Sequence, residues 1–322
     1  MSVSELPSFT ARAPWWGADL QTLRNFVRRP PLPAAAAETR RLVLHLGDGD
    51  ALSALLERPS HERRVPVLLV HGLGGCEDSA YMRASAQALL ARGHPVVRLN
   101  LRGAGPSRAH CRDLYHAGRS EDLRAVLAAL PAELGADGVV IVGFSLGGNA
   151  VLKLLGEGVD GVLAAASVSA PIDLAAASAR MLELRNRVYH GYLLRRVKRD
   201  ATGGRAEVSQ DERAAIQGAR SVFAFDDVFV APRNGWRDAA EYYALNSAEQ
   251  FLPRIRTRTL VVYALDDPWI PAQAYRRFAW SRNQQLLAAL APSGGHLGFH
   301  ARGSRTPWHD RVLAAFLAAQ GL

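Results

Sequence analysis

The chain of 322 residues is long enough to bury a full hydrophobic core, and its composition, 48% hydrophobic and 21% charged, is that of a globular protein. Its only two cysteines, Cys76 and Cys111, imply neither a disulfide framework nor a CxxC metal site. The net charge of +9 is spread along the chain instead of forming a basic stripe with interleaved aromatic residues, so nucleic-acid binding is not expected. Weak peripheral contact with an anionic lipid surface stays open.

The N-terminal stretch MSVSELPSFTARAPWW lacks the apolar core of a signal peptide. No apolar run along the chain approaches the ~18 residues that a membrane helix requires. We therefore expect a cytoplasmic protein. The proline- and alanine-rich stretch 28–40 predicts an extended lead-in to the folded domain.

Strands and helices then alternate along the chain. RRLVLHL and ALSALLE, separated by the turn GDGD, predict an antiparallel hairpin. Continuous apolar runs predict buried strands at 65–72, 94–103, 138–145, 161–171, 258–268 and 285–292. Helices are predicted between them near 79–92, at about 119–130, in LGGNAVLKLLGEG, near 272–281 and from about 307. This order predicts an α/β fold, with a mostly parallel sheet and helices on both of its faces.

One long segment interrupts the alternation. Residues 172–256 combine helical patches with glycines and the polar stretch RDATGGRAEVSQDER. We interpret this segment as a helical cap inserted after the sixth strand. The predicted core domain is then 1–171 with 257–322, and the predicted cap is 172–256.

The segment VVIVGFSLGGNA contains a candidate nucleophile. Gly143 to Gly147 fit the pattern G-x-S-x-G between a predicted strand and a predicted helix, which is the context that a nucleophile elbow requires. A plain tight turn with a small serine is the alternative. The glycines permit a strained turn, and the following helix directs its N-terminal amides at negative charge near Ser145. The pattern therefore favours Ser145 as a nucleophile.

A serine nucleophile needs a histidine base and an acid that orients it, in the chain order serine, acid, histidine. Of the histidines after Ser145, His296 in PSGGHLGF directly follows the last predicted strand. A metal pair of His296 and His300 is disfavoured because no carboxylate or cysteine accompanies it, so we expect no metal or other cofactor. VVYALDDPWIP offers two acids, of which Asp267 is favoured by its spacing from Ala264, while Asp266 stays the alternative.

The loop HGLGGCEDS follows the first predicted parallel strand. In a serine hydrolase with a nucleophile elbow, an HG-type motif at this position supplies one backbone amide to the oxyanion hole. We predict that the backbone amides of Leu73 and Leu146 form the oxyanion hole. His71 could be mistaken for the base, but the chain order favours a structural role in this loop.

Several motifs together carry a family resemblance over nearly the whole chain. They are WWGADLQT, HGLGGCEDSAYMR, NLRG, YHAGRSEDLR, GFSLGGN, SAPIDL, FAFDDVFVAP, EYYALNS, ALDDPWIP and GGHLGF. The chain resembles the YheT-like family of α/β-hydrolases, whose eukaryotic relatives include lipid esterases. The resemblance implies a serine hydrolase acting on small-molecule or lipid carboxylic esters, with the triad Ser145, Asp267 and His296. Asp19 departs from the family, which often has histidine before LQT.

Two further functions stay open on the same residues: acyl transfer to an alcohol, and ligand binding without catalysis.

The cap stretch 181–199 predicts a helix with an apolar stripe of Leu182, Tyr189, Leu193 and Val197, widened by Met181, Leu184, Val188 and Tyr192. In one interpretation this stripe packs on the core domain. In the other, part of the stripe lines an acyl tunnel, and the surrounding cations contact an anionic membrane surface or a lipid head group. Asp226 and Asp227 are interpreted as structural residues, paired with cap arginines.

Overall fold

A computed structural model describes residues 3–27, 36–62 and 64–322, so residues 28–35 of the predicted lead-in lie outside the described residues. Its centre is an eight-stranded sheet with the strand order β1-β2-β4-β3-β5-β6-β7-β8. The strands β1 to β8 are Ala36–His45, Ala51–Pro59, Val67–Val70, Val96–Leu99, Val139–Phe144, Val162–Val168, Thr259–Ala264 and Leu286–Ala291.

The sheet is mostly parallel, as predicted. β1 and β2 form the predicted antiparallel hairpin, and β2 pairs antiparallel with β4. Every other neighbouring pair is parallel. The carboxyl ends of β3, β5, β7 and β8 therefore meet at one edge of the sheet, where the loops with the predicted site residues begin.

Helices cover both faces of the sheet. The helices α1 to α13 are Ala18–Val27, Ala80–Leu90, Ser120–Ala129, Ala132–Gly135, Leu146–Glu157, Leu174–Met181, Arg187–Ala201, Gln210–Gly218, Val222–Phe225, Ala231–Arg233, Ala239–Asn246, Ala272–Arg277 and Trp308–Ala319. In β5, Ile141 packs in one core with residues of α3 and α5, while Val140 and Val142 pack in a second core with residues of α2 and α13. Within the ranges described, no helix combines the length and the apolar character needed to cross a membrane.

Most elements lie where predicted but are shorter by one or a few residues at each end. The clearest difference is the helix predicted near 272–281, which ends at Arg277. Phe278 is extended, and a separate 3₁₀ turn follows at Trp280–Arg282. The Trp280 indole donates to the carbonyl oxygen of Tyr275 at 2.8 Å, so a local side-chain hydrogen bond satisfies a carbonyl of the last helical turn in place of a further turn.

The long insertion is found after β6, where it was predicted, and it is helical. Residues of α6, α7, α8 and α11 form a hydrophobic cluster of their own, which includes Leu174, Val197, Ile216 and Tyr242. The partly buried side chains of Leu73 and Leu146 pack against this cluster. The division of the chain into core domain and cap stays a prediction.

The predicted continuous helix over 181–199 is wrong. α6 ends at Met181 and α7 begins at Arg187, with a 3₁₀ turn at Leu184–Asn186 between them. The chain turns here because the buried Asn186 amide donates to the carbonyl oxygens of Arg180 and Pro268, each at 2.9 Å.

The stripe on this segment is divided accordingly. Leu193 and Val197 are buried, but Leu182, Leu184 and Val188 are exposed at 52%, 89% and 81% of their surface. Three of the eight residues of the predicted apolar face therefore turn to solvent.

Candidate active site

The turn between β5 and α5 is sharply strained at Ser145. Its φ of 51° and ψ of −121° lie outside the regions that non-glycine residues prefer. The flanking glycines are required by close backbone approaches: a Cβ on Gly147 would lie 2.6 Å from the carbonyl oxygen of Val70, and one on Gly143 would lie 2.7 Å from the Cα of Gly148. The turn therefore holds Ser145 at the carboxyl edge of the sheet.

Ser145, His296 and Asp267 form a continuous hydrogen-bonded line. The Ser145 Oγ lies 3.0 Å from His296 Nε2, and His296 Nδ1 lies 2.8 Å from Asp267 Oδ2. All three side chains are buried. Because Nδ1 donates its hydrogen bond to the Asp267 carboxylate, the other ring nitrogen, Nε2, carries no hydrogen and accepts the hydrogen bond from the serine hydroxyl. This is the arrangement in which a histidine can take the serine proton.

The two neighbouring aspartates have different environments. Asp267 Oδ1 accepts hydrogen bonds from the backbone amides of Trp269 and Ile270, at 2.8 and 3.1 Å, which fixes the carboxylate that faces His296. Asp266 Oδ1 accepts from the amide of Gly295 at 2.9 Å, and burial raises the pKa of the Asp266 carboxyl. Asp266 thus contacts the backbone of the histidine loop and not the imidazole ring.

The loop with Leu73 lies directly against the serine turn, since a Cβ on Gly72 would be 2.8 Å from the Ser145 Cβ. Hydrogen bonds hold this loop on both sides of Leu73. The amide of Gly72 donates to the Tyr81 hydroxyl at 3.0 Å, and that of Gly74 donates to the Tyr115 hydroxyl at 2.6 Å.

The insertion also holds this loop, because the Arg196 guanidinium donates to the Gly74 carbonyl oxygen at 2.5 Å. Leu146, on the other side of the site, is the first residue of α5. Both predicted oxyanion positions therefore line the same cavity as Ser145.

The two ring nitrogens of His71 hydrogen-bond to backbone groups. Its Nδ1 donates to the carbonyl oxygen of Gly72 at 2.8 Å, and its Nε2 accepts from the amide of Leu101 at 3.0 Å. Burial lowers the pKa of His71 to about 4, so the ring is neutral and joins the loop after β3 to the loop after β4. This geometry supports the structural role given to His71.

Helix α1 supports the His296 loop, a role that the sequence did not reveal. Thr22 Oγ1 accepts from the amide of His296 at 2.8 Å, Gln21 Oε1 accepts from the amide of His300 at 2.7 Å, and the Asn25 amide donates to the carbonyl oxygen of Leu297 at 3.1 Å. The motif WWGADLQT was the one available signal for these contacts, but its residue types alone indicate no chemistry.

The family departure at Asp19 lies on the same helix. Its carboxylate accepts from the Tyr189 hydroxyl at 3.0 Å and from the Arg185 guanidinium at 3.2 Å, so it joins α1 to the insertion. Trp269 stacks on the His296 ring, with the centroids 4.2 Å apart, and makes an edge contact with Tyr189. The aromatic stack shields the histidine–aspartate pair from water.

A cavity of about 460 Å³ opens above Ser145. Its walls combine the loops of the core with apolar side chains of the insertion, namely Leu174, Ala177, Met181, Leu193, Val197, Phe225, Phe229 and Val230. Four residues of the predicted stripe, Met181, Tyr192, Leu193 and Val197, line it. The cavity can accommodate an apolar chain beside the serine hydroxyl.

Comparison with known proteins agrees with this geometry. A family model described as alpha/beta hydrolase fold matches residues 65–301. The protein named "Putative esterase YheT" of Escherichia coli (strain K12) is 37% identical over 265 residues, which is 80% of this chain and 77% of the relative. A monoacylglycerol lipase of Saccharomyces cerevisiae is 28% identical over 270 residues, 80% of this chain and 60% of that protein.

Among solved structures, an esterase of Pyrococcus furiosus superimposes with a TM-score of 0.62 at 16% identity, covering 90% of this chain and 97% of that one, which shows a shared fold. The predicted fold class and family resemblance are thus confirmed. The chain belongs to the α/β-hydrolase family, in which it is a relative of the YheT-like esterases.

Proposed function

We propose that this α/β-hydrolase is a serine esterase that cleaves short- to medium-chain carboxylic esters, including lipid esters. The observation that carries the proposal is the hydrogen-bonded line from Ser145 through His296 to Asp267 on the wall of an apolar cavity. The esterase and lipase names of its relatives support the same reaction class. A cytoplasmic location stays a prediction.

The reaction follows from the positions of the polar groups. His296 Nε2 takes the proton of the Ser145 hydroxyl as Oγ attacks the ester carbonyl carbon, and the amides of Leu73 and Leu146 stabilise the oxyanion. His296 then protonates the leaving alcohol, which gives an acyl-enzyme. Water, activated by the same imidazole, releases the acid. Asp267 holds the ring in the tautomer that this sequence of proton transfers requires.

We also propose that residues 182–188, which join α6 to the first turn of α7, contact anionic lipid. Leu184 and Val188 are among the most exposed large apolar side chains, and the exposed cations Arg185 and Arg187 lie beside them. Exposed apolar residues bordered by cations are typical of interfacial segments. Co-sedimentation with anionic and with neutral vesicles tests this contact, and equal binding to both, unchanged in a Leu184→Ser/Val188→Ser variant, would contradict it.

The test of the esterase proposal is hydrolysis of p-nitrophenyl esters from acetate to decanoate. Ser145→Ala and His296→Ala should each lower kcat/KM by several orders of magnitude with the circular dichroism spectrum unchanged. Ser60→Ala and His61→Ala, two exposed neighbours, are the matched controls and should keep wild-type rates.

The products separate the remaining alternatives. Formation of an ethyl ester in place of the free acid when ethanol is added would assign acyl transfer. A wild-type protein that binds these esters without turning them over would be a binding protein that has the fold alone.

A further inference from the structure

The wall that the insertion contributes to the cavity contains a carboxyl group. Asp226, on the single turn of π-helix at Asp226–Val230, lines the cavity together with Tyr243 and Ser178. Asp226 Oδ2 accepts a hydrogen bond from the Tyr243 hydroxyl at 2.6 Å. The Ser178 Oγ lies 3.2 Å from the same hydroxyl oxygen and can donate to it. These three residues form a polar group beside the apolar side chains of this wall.

The sequence interpretation, that Asp226 and Asp227 pair with cap arginines, is wrong for both residues within the described part of the chain. Asp227 accepts from the amide of Ala239 at 3.0 Å, which is a structural role at the start of α11. Asp226 has the Tyr243 hydroxyl as the single hydrogen-bond partner that the described residues provide, with no cation nearby.

Other carboxylates of the same cavity differ in this respect. Asp113 pairs with Arg119 at 2.6 Å and with Arg233 at 2.9 Å, and Asp200 pairs with Arg108. Those carboxylates are neutralised within the protein. Asp226 is the carboxyl of this wall that keeps acceptor capacity for a ligand.

A structural acceptor for one phenol does not need to be an acid. An asparagine or a backbone carbonyl would satisfy the Tyr243 hydroxyl without the cost of burying an ionisable group. Burial here raises the pKa of the Asp226 carboxyl to about 7. Near neutral pH, the Asp226 carboxyl group is therefore protonated in part of the molecules, and in this form it can both donate a hydrogen bond to an alcohol and accept one from it. An ammonium ligand would require the carboxylate form, so an alcohol is the better match.

We propose that Asp226 is a specificity-determining residue that binds a free hydroxyl group of the substrate, so that the preferred esters contain a hydroxyl apart from the ester bond. This inference rests on the proposed esterase function. The hydroxyl belongs either to the acyl chain or to the alcohol, and the second Asp226 oxygen is its partner in both cases. An ester without the hydroxyl covers this partly buried acceptor without giving it a partner, which disfavours its binding.

The experiment compares two matched pairs of esters. Ethyl 8-hydroxyoctanoate against ethyl octanoate places the hydroxyl in the acyl part, and 4-hydroxybutyl octanoate against butyl octanoate places it in the alcohol part. For the wild-type enzyme, kcat/KM in one pair should favour the hydroxylated ester by about 10- to 100-fold, the effect of one hydrogen bond to an ionisable group. Asp226→Leu should reduce that preference to about twofold or less, and Asp226→Asn, which keeps one acceptor, should lie between.

Asp227→Asn is the matched control, because it removes the same charge from the adjacent residue, which does not line the cavity. It should keep the wild-type preference. A preference that is absent from both wild-type pairs, or equally large in Asp226→Leu, would overturn the proposal.

Calorimetric binding of the same esters to Ser145→Ala provides a readout that does not depend on turnover. A hydroxyl preference in binding that requires Asp226, without ester cleavage by the wild-type protein, would contradict the esterase function alone. Cleavage of all four esters at equal rates, with equal binding, would contradict the role of Asp226 alone.

Discussion

Replacing Asp267 by asparagine tests how the site chooses between its two adjacent acids. The Asp267 carboxylate accepts on both oxygens, from His296 Nδ1 on one side and from the amides of Trp269 and Ile270 on the other. An asparagine offers one acceptor and one donor in the same space. If its oxygen stays on the two backbone amides, its NH₂ group faces Nδ1, and the imidazole must then place its proton on Nε2. In that tautomer His296 cannot take the serine proton.

The opposite orientation of the asparagine amide is no better, because its NH₂ group would then face two backbone donors. We therefore expect Asp267→Asn to lower kcat/KM by about 10³- to 10⁴-fold, the scale seen when a triad histidine is held in the wrong tautomer. Asp266→Asn keeps an oxygen for the amide of Gly295 and should lower it by less than about tenfold, the cost of about one neutral hydrogen bond. The assay is hydrolysis of p-nitrophenyl butyrate, with near-ultraviolet circular dichroism as the check on folding. A larger loss in Asp266→Asn than in Asp267→Asn would refute this assignment of the acid.

Three further predictions concern the loop, the turn and the cavity wall. Arg196→Met removes the guanidinium that holds the Gly74 carbonyl, and in a steady-state assay it should lower kcat about 10- to 100-fold with a smaller change in KM. The control Arg195→Met changes an exposed neighbour and should match the wild type in the same assay. Gly147→Ala places a Cβ against the backbone carbonyls at the end of β3 and should reduce the free energy of unfolding by about 3 kcal/mol in urea titration. Because the pKa of the Asp226 carboxyl is raised to about 7 in the folded state, the folded protein keeps a proton that the unfolded chain releases near pH 4, and wild-type stability should fall as pH rises. Between about pH 5 and pH 8 this loss amounts to about 3 kcal/mol, and thermal unfolding of Asp226→Asn should lack it.

The parts of the fold and site that sequence could predict are those set by local patterns. Glycines around Ser145 and the apolar run before it specify a strand, a tight turn and a helix within a few residues. His296 could be located because it follows the last strand and comes last in the required chain order. The choice of Asp267 over Asp266 rested on a spacing of three residues from Ala264. Ala264 is the last residue of β7, so this spacing places Asp267 in the loop at the carboxyl end of that strand.

Contacts between residues distant in sequence could not be predicted in this way. The hydrogen bond from the His296 amide to Thr22 joins residues 274 positions apart, and no periodicity encodes it. The break between α6 and α7 depends on the bond from Asn186 to the Pro268 carbonyl, which overrides an apolar stripe that by itself favours one helix. The charge of Asp226 suggested an ion pair because composition does not tell which arginines are already paired.

Labelling with a fluorophosphonate tests most directly the claim that Ser145 is a nucleophile activated by His296. The probe reacts with an activated serine and needs no knowledge of the substrate. Peptide mass spectrometry of the labelled wild-type protein should find one adduct, on Ser145, and the Ser145→Ala variant should have none. His296→Ala should react with the probe at least 100-fold more slowly than the wild type, as expected for loss of the general base. An adduct on another serine that persists in Ser145→Ala, or a wild-type protein that hydrolyses esters without being labelled, would contradict the account.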